Sequence, residues 1–276
     1  MPVEAIEINS WTHLLGELEP WLDSTFENSF YFRGQPDFTW GLIPSLSRSF
    51  GTVTSSQALH IESKLYFSFA EQAHLHLNMP KEVAPGETLT WWWTLMQHYN
   101  APTRLLDWTG SPYVALYYAV KDRFSEPGMV WAFDSNLLHN HWPDEIRQSI
   151  QSGHMLDRWF RDAGSAAHYL PCRLSRPVER LIAQQARFTV CTQILGQHHR
   201  IFDWDDVGNY NRKRLLIPSR LKPEFLTRLR AMNISASALS PGLDGIGRNT
   251  AELLQMMANQ ISATNSANTA PPHIND

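Results

Sequence analysis

The chain has 276 residues, of which 43% are hydrophobic and 18% are charged, and its formal net charge at pH 7 is −4. These values are those of an ordinary globular protein that is long enough to bury a sizeable core. The acidic balance gives no global field that would draw the protein to nucleic acid or to anionic lipid, although it is compatible with a local basic patch.

The cysteines and the first residues of the chain indicate the cellular compartment in which the protein is expected. Cys172 and Cys191 are too few for a disulfide framework in a chain of this length, and neither lies in a CxxC pair, which predicts two reduced thiols. The beginning of the chain, MPVEAIEINSW, lacks the positive start and the apolar run of a signal peptide. No stretch approaches the roughly 18 uninterrupted apolar residues of a membrane span. We therefore expect a cytoplasmic protein without membrane contact.

Apolar periodicity predicts three helices and one strand in the first hundred residues. Ser10 caps the first helix, and Ser55 or Ser56 opens a longer one that stops before Pro80. The other predicted segments are a strand at 29–33, an irregular stretch at 42–50, a loop at 81–87 and a helix at 88–99.

A rigid loop is predicted at 101–110. Asn100 suits the left-handed position that closes the preceding helix, and Pro102 forbids its continuation. Ser111 then caps a helix at 112–123, whose first turn tolerates Pro112. Both ends of the loop are therefore fixed by backbone chemistry.

The second half of the chain supplies most of the predicted sheet. Strands are expected at 128–134, 187–195 and 213–219, and helices at 223–233 and 248–261, while 135–178 is expected to be helical in pieces. The polar stretch 262–276 lacks apolar periodicity and predicts a disordered tail. The result is one α+β domain over 1–261, with a mixed β-sheet core flanked by helices.

The first polar motif is YFRGQ at 31–35, a strand that ends in Arg33 and Gly34. A guanidinium offers a rigid fork of donors for a carboxylate or a phosphate, and glycine permits a sharp reversal of the backbone. Taken alone, this stretch favours an ordinary structural ion pair for Arg33.

The second motif concentrates polar side chains beside a Trp-rich helix. Each has a structural interpretation: Arg104 and Asp107 can pair with each other, and His98 suits a helix C-terminus as a cation. Their density nevertheless predicts a small-ligand pocket, because such pockets combine apolar walls with a few convergent polar groups. The residues lie within 14 positions and are His98, Arg104, Asp107, Thr109 and Ser111.

The third motif, RLIAQQARFTVCTQIL, places Gln184 and Gln185 just before a strand, as hydrogen-bonding fixtures or as amides that face a substrate. The histidines in HNH and QHHR form no HExxH motif and no Cys/His quartet, so we predict no metal site. The chain also lacks a P-loop motif and a G-x-S-x-G nucleophile elbow.

Taken in order, YFRGQ, QHYNAPTRLLDWTGSPYVALYYA, RLIAQQARFTVC and LSPGLDG resemble the FRG domain family over about residues 28–250. The motif order of that family resembles the ADP-ribosyltransferase fold, which implies NAD as substrate. The resemblance places Arg33 with Gly34 on the phosphate or ribose of NAD, and aligns Thr109 and Ser111 with the Ser/Thr motif of that fold. Gln184 or Gln185 falls in the segment that carries its catalytic Glu.

Three departures qualify this resemblance. Asn100 and Ala186 stand where the family commonly has Gly, and the transferase Glu is absent. A neutral Gln184 binds a hydroxyl but supplies no charge to an oxocarbenium-like transition state. We therefore expect Asp107 to supply that charge and His98 to act as a base or phosphate contact. Arg104 and Gln185 complete the expected NAD contacts.

Three functions follow as hypotheses. The first is an ADP-ribosyltransferase-like enzyme that cleaves the glycosidic bond of NAD and transfers ADP-ribose to a macromolecular acceptor or to water. The second is a non-catalytic module that binds a nucleotide or a nucleotide-modified partner. The third, disfavoured by the acidic net charge, is a nucleic-acid-binding or nucleic-acid-processing protein with a basic face at Arg212, Lys213, Arg214 and Arg220.

Overall fold

The structure, a computed structural model, describes residues 3–22, 29–73, 75–76, 89–151, 157–172, 179–204 and 212–269. Over these ranges the chain forms one seven-stranded mixed sheet with helices on both faces, as the α+β prediction requires. The strand order is β1-β7-β4-β2-β3-β6-β5. The strands are β1 (Ala5–Glu7), β2 (Phe30–Gln35), β3 (Leu105–Thr109), β4 (Gly128–Asp134), β5 (Tyr169–Cys172), β6 (Ala186–Cys191) and β7 (Arg212–Ile217).

Twelve α-helices occur in the described part of the chain. They are α1 (Trp11–Leu22), α2 (Ser45–Arg48), α3 (Ser55–Ala73), α4 (Leu89–His98), α5 (Pro112–Val120), α6 (Asn136–Asn140), α7 (Asp144–Gln151), α8 (Asp157–Arg161), α9 (Glu179–Ala183), α10 (Lys222–Ala231), α11 (Ala236–Leu239) and α12 (Leu243–Thr269). None of the helices in these ranges combines the length and apolarity that a bilayer crossing needs.

The sheet separates two hydrophobic cores. Because successive side chains of a strand point to opposite faces, Tyr31 joins one core and Phe32 joins the other. The first core receives aromatic residues of α4 and α8, including Trp93 and Phe160. The second is built from α1, α5, α10 and α11. Two buried faces explain why the interior strand β4 is apolar at nearly every position.

Most of the predicted elements are confirmed, but two segments in the first half of the chain that were expected to lack regular structure contain an element. The stretch at 42–50, expected to be irregular, contains the short helix α2. The loop expected at 101–110 contains the interior strand β3, which pairs with β6 from Leu105 to Thr109. Its short sequence, LLDWT, shows neither strict alternation nor a long apolar run, so only pairing with neighbouring strands identifies it. The sequence patterns also miss the short strands β1 and β5.

Two predicted segments lie partly or wholly outside the described residues. Nothing is described for the loop at 81–87. The last helix begins at Leu243, five positions before its predicted start, and continues to Thr269, within the predicted disordered tail. Residues 270–276 are not described, and the disordered tail stays a prediction there.

The two cysteines are free, as the sequence predicts. Cys172 ends β5 and Cys191 ends β6, and both are buried. Burial raises the pKa of each thiol to about 11, so both are protonated at neutral pH.

The sheet opens between β2 and β3. β2 pairs with β4 at six consecutive positions and β3 pairs with β6 at five, but β2 and β3 share a single pair, Phe32 with Thr109. Beyond that pair the two strands separate, so that Arg33 and Asp107 face a gap in the middle of the sheet. Such a gap exposes backbone groups and leaves room for a ligand.

Gly34 allows helix α5 to lie directly on β2. A Cβ at this position would stand 1.8 Å from the carbonyl oxygen of Ala115, closer than any side chain tolerates. Gly34 therefore serves the packing of α5 against the strand.

Candidate functional site

A cleft with a volume of about 420 Å³ lies at the gap between β2 and β3. This volume falls in the range of small-ligand sites. Most of its walls come from six elements: β2, β3, the short helix α2, the C-terminal end of α4, helix α5 and helix α9. The polar or charged residues that line it are Arg33, Ser45, Arg48, Gln97, Asn100, Asp107, Thr109, Tyr118, Arg180 and Gln184.

Arg33 bridges the gap in the sheet. Its Nη1 donates to the backbone carbonyl of Asp107 at 2.7 Å and lies 3.8 Å from the carboxylate oxygen Oδ2. The side chain is thus a substitute for a missing strand-to-strand hydrogen bond. Burial lowers the pKa of the Arg33 guanidinium, although the charge of Asp107 raises it.

Asp107 is held in place by a neutral donor. The side-chain amide nitrogen of Gln97 lies 3.1 Å from Oδ1 and 3.0 Å from Oδ2. The amide oxygen of Gln97 accepts a hydrogen bond from the hydroxyl of Thr103, which in turn accepts from the backbone N–H of Leu105. Because the Thr103 hydroxyl has one proton to donate, this chain of bonds fixes which end of the amide faces Asp107.

Two further arginines face the cleft. Arg48 closes α2, and the one hydrogen bond that its side chain makes among the described residues is a 3.3 Å bond from Nη1 to the carbonyl of Ile43. The side chain of Arg180, on α9, makes neither a hydrogen bond nor an ion pair with any residue that the structure describes. Among the described residues that line the cleft, Asp107 is the single carboxylate. The cleft therefore has an excess of two positive charges.

Tyr118 places an aromatic ring on the α5 wall. Burial raises the pKa of its hydroxyl, while the charge of Arg180 lowers it and the charge of Asp107 raises it. The phenol therefore lies within electrostatic range of both charged groups. An apolar ring beside cations and a carboxylate suits a ligand that combines a flat ring with anionic groups.

Thr109 and Gln184, two of the predicted site residues, line the cleft, but both already have protein partners. The Thr109 hydroxyl donates to the Gln184 carbonyl at 2.7 Å and accepts from the backbone N–H of Ser111. The Gln184 side-chain amide donates to the Leu239 carbonyl at 2.8 Å. These bonds join the ends of β3, α9 and α11, so the two residues hold the cleft walls together.

Arg104 lies away from the cleft, in contrast to its predicted role as an NAD contact. It is 1% exposed, and its Nε donates to Glu62 at 2.7 Å while a second nitrogen contacts the other carboxylate oxygen. Further donors reach the carbonyls of Thr192 and Phe160. The suggested pair between Arg104 and Asp107 is not formed, because the Arg104 side chain is directed into the core toward Glu62 while Asp107 faces the cleft.

Three other predicted site residues lie beside the cleft without lining it. His98 has a lowered pKa because burial and the charge of Arg180 both oppose its protonation, which outweighs the favourable helix end. Ser111 caps α5 by accepting from the backbone N–H of Val114, as predicted. Gln185 turns the chain after α9 with a φ of 47°, and its carbonyl accepts from Gly110.

The structure adds four residues that sequence reasoning did not assign: Arg48, Gln97, Tyr118 and Arg180. Three of them, Gln97, Tyr118 and Arg180, lie inside the motifs quoted above. Membership of those motifs was the sequence signal that could have identified them as site residues. Arg48 lies in a segment predicted to be irregular. Asn100, predicted to be left-handed, has a φ of 62° and also lines the cleft.

The residues of the suggested basic face on β7 have partners within the fold. Lys213 binds Glu17, whereas Arg212 and Arg214 donate to backbone carbonyls. Consecutive positions of β7 also alternate between the two faces of the sheet. Over the ranges that the structure describes, no three His, Cys, Asp or Glu residues gather where they could hold a metal ion.

Five of the six elements that form most of the cleft fall within one continuous stretch of the chain, residues 28–127. Residues 28–127 match the family model of the FRG domain. This part of the chain is therefore similar to the FRG domain. This range includes Arg33, Asp107 and Tyr118 but ends before α9, so Arg180 belongs to the part of the chain that follows the match. No curated protein and no solved structure matches the chain. The likeness to ADP-ribosyltransferases therefore stays a prediction.

Proposed function

We propose that this protein binds NAD in the cleft between β2 and β3 and cleaves its N-glycosidic bond. The observation that carries the proposal is the meeting of Arg33 and Asp107 across the gap in the sheet. One residue supplies a cation for phosphate, and the other supplies a carboxylate for the reacting sugar. Arg33 is the predicted NAD contact, and Asp107 is the predicted source of negative charge.

Asp107 suits electrostatic stabilisation because its carboxylate is oriented without being fully neutralised. The neutral amide of Gln97 lies nearer to its carboxylate than the Arg33 guanidinium does, and 54% of its side chain is exposed. When the bond between ribose and nicotinamide breaks, the bonding electron pair leaves with nicotinamide and the sugar becomes an oxocarbenium-like cation. A carboxylate beside that cation lowers the barrier.

The acceptor completes the reaction. Water or a nucleophilic group of a macromolecule bonds to the anomeric carbon and loses a proton to solvent or to a nearby base. His98 is available as a neutral base at pH 7, because burial lowers its pKa. It does not line the cleft, so any role in proton transfer is through an intervening water or the acceptor itself.

Binding without cleavage is the second candidate, favoured by one specific observation. Arg33 lies 3.8 Å from Asp107, so part of the carboxylate charge is already balanced before a ligand enters. A balanced carboxylate stabilises a developing cation less effectively. In this alternative the cleft recognises a nucleotide or a nucleotide-modified partner, and no nicotinamide is released.

The deciding experiment incubates purified protein with NAD and measures free nicotinamide, alongside Asp107→Asn and Arg33→Met. For the enzyme we expect release by the wild type, loss of turnover with retained binding in Asp107→Asn, and loss of binding in Arg33→Met. Arg228→Met is the matched control, because Arg228 is half-exposed and pairs with Glu224 on α10.

Each outcome decides between the candidates. NAD-induced thermal stabilisation without nicotinamide release supports the binding module. Full turnover in Asp107→Asn removes Asp107 from the mechanism. If NAD neither stabilises the wild type nor is cleaved, both candidates lose NAD as their ligand.

A further inference from the structure

We propose that Arg48 and Arg180 are anion contacts that act together with Arg33, and that the group they bind is the diphosphate of a small nucleotide. The inference rests on the proposed function and deepens it by naming the part of the ligand that the cleft recognises. It concerns binding alone and does not require that any bond be cleaved.

The guanidinium of Arg180 lines the cleft without an ion-pair or hydrogen-bond partner among the described residues. Arg180 lines the cleft from α9, and its charge acts on His98 of α4 and on Tyr118 of α5. No described residue accepts a hydrogen bond from the Arg180 guanidinium. A half-buried guanidinium with five donors and no acceptor is a group prepared for an anion.

Arg48 sits where its charge is unfavourable without an anion. Its positive charge adds to burial in lowering the pKa of Arg33, so the two guanidinium groups repel each other across the cleft. The helix that carries Arg48 is firmly attached, because Leu46 donates to the carbonyl of Thr103 and Ser45 accepts from its N–H. Arg48 is therefore held near Arg33 despite the repulsion.

Helix α9 is attached in the same way. The Gln184 carbonyl at its end accepts from Thr109 on β3, and the Gln184 amide donates to Leu239 on α11. Three cations thus reach one cleft from three separate, fixed elements: β2, α2 and α9. Fixed positions mean that the ligand does not have to order them, which favours binding.

The number and positions of the charged side chains in the cleft indicate which kind of anion fits it. Three guanidinium groups and the Asp107 carboxylate leave an excess of two positive charges, which matches the two negative charges of the diphosphate bridge in a dinucleotide. The cations lie on different walls, so two linked phosphates engage them better than one compact ion does. The ring of Tyr118 then lies beside the site for an attached flat ring.

The test measures binding of inorganic pyrophosphate, ADP and NAD by titration calorimetry, with orthophosphate as the smaller anion. Arg180→Met and Arg48→Met keep much of the length of the side chain and remove the charge. We expect each to weaken pyrophosphate and ADP binding at least about tenfold, since a hydrogen bond to a charged group contributes on that scale. Arg228→Met is expected to bind like the wild type.

Folding of the variants is checked by thermal unfolding without ligand. The side chain of Arg180 makes no bond to a described residue. Removal of Arg48 loses one exposed 3.3 Å hydrogen bond to the Ile43 carbonyl and relieves the repulsion with Arg33, so neither substitution is expected to lower the melting temperature. Arg180→Lys provides a second variant, because it keeps the charge and loses the fork. Intermediate affinity in this variant is expected.

The outcomes separate this inference from the proposed function. Pyrophosphate and ADP binding that depends on Arg48 and Arg180 supports the inference even if NAD is not cleaved. NAD cleavage that is unaffected in both Met variants overturns it while the proposed function stands. Wild-type protein that binds orthophosphate as tightly as pyrophosphate, or that binds an oligonucleotide but no pyrophosphate, also overturns it.

Discussion

The side-chain amide nitrogen of Gln97 lies within 3.1 Å of both carboxylate oxygens of Asp107, and its amide oxygen is held by Thr103. Gln97 lies in the last turn of α4 and Asp107 stands in the middle of β3, so this contact fixes the carboxylate from outside its own strand. A neutral donor orients the carboxylate and leaves its negative charge in place. Gln97 is therefore a positioning residue for Asp107.

The first prediction concerns this contact. Gln97→Met should lower the turnover of NAD by about 10-fold to 100-fold, because a misplaced catalytic group costs on that order. Affinity for NAD should change little, since the arginines remain. Thr103→Val should act in the same direction and Thr103→Ser should behave like the wild type.

The measurement is nicotinamide release over a range of NAD concentrations, and Gln72→Met on the exposed face of α3 is the control. Unchanged turnover in Gln97→Met would rule out the positioning role.

The second prediction tests the packing of α5 on β2. Gly34→Ala should destabilise the protein by about 3 kcal/mol, because the new Cβ meets a backbone oxygen that cannot move without shifting α5. Gly16→Ala is the matched control: a Cβ added there, in helix α1, would meet nothing within 4 Å, so about 0.5–1 kcal/mol of stabilisation is expected. Urea unfolding measures both. Equal stability of the two variants would contradict the close contact between Gly34 and Ala115.

The third prediction concerns the buried ion pair of Arg104 and Glu62. Arg104→Met should cost about 3–5 kcal/mol of stability, because it leaves a buried carboxylate without its partner. Pyrophosphate affinity per folded molecule should stay unchanged. Arg48→Met should show the opposite behaviour, with stability kept and affinity lost. Calorimetric titration beside urea unfolding measures both properties, and weaker ligand binding by folded Arg104→Met would place Arg104 back in the site.

The fourth prediction is an acid sensitivity set by His198. This residue is fully buried, its Nδ1 lies 2.8 Å from the Thr189 hydroxyl, and burial lowers its pKa to about 3. The unfolded chain takes up a proton near pH 6.5 and the folded protein does not, so stability is complete above pH 6.5 and falls as the pH drops toward 3. Between about pH 6.5 and pH 4.5 His198 should account for a loss of about 2 kcal/mol.

The measurement for His198 is urea unfolding across this pH range in the wild type and in His198→Asn. Asparagine offers an oxygen acceptor near the position of Nδ1 and does not titrate, although its smaller size lowers the stability at every pH. The variant should therefore show a shallower fall with acid. Parallel slopes in the two proteins would mean that other groups cause the acid loss.

Several elements follow from the sequence because their causes are local. Ser111 caps α5 and Asn100 adopts the left-handed conformation, since capping and left-handed turns depend on one or two adjacent residues. The apolar run at 128–134 becomes β4 within the predicted bounds. The motifs also single out Arg33 and Asp107, which the fold then brings together at the cleft.

The interior strand β3 could not be predicted from local sequence patterns. Its five residues have no decisive local pattern, and they form a strand because β6 pairs with them along their whole length. The same pairing decides the direction of each side chain. The side chain of the adjoining Arg104 points into the core toward Glu62, although the sequence alone makes Arg104 as plausible a ligand contact as Asp107.

By itself, the sequence determined the α+β class, the FRG motifs and the residue types suited to an anionic ligand, because composition, periodicity and capping act over short distances. The tertiary structure alone decided that β2 and β3 separate after one pair, and that Arg48, Arg180 and Gln97 meet at the gap. These residues come from elements far apart in the chain. Their meeting depends on how the sheet is ordered and where it opens, and no local pattern of residues encodes that arrangement.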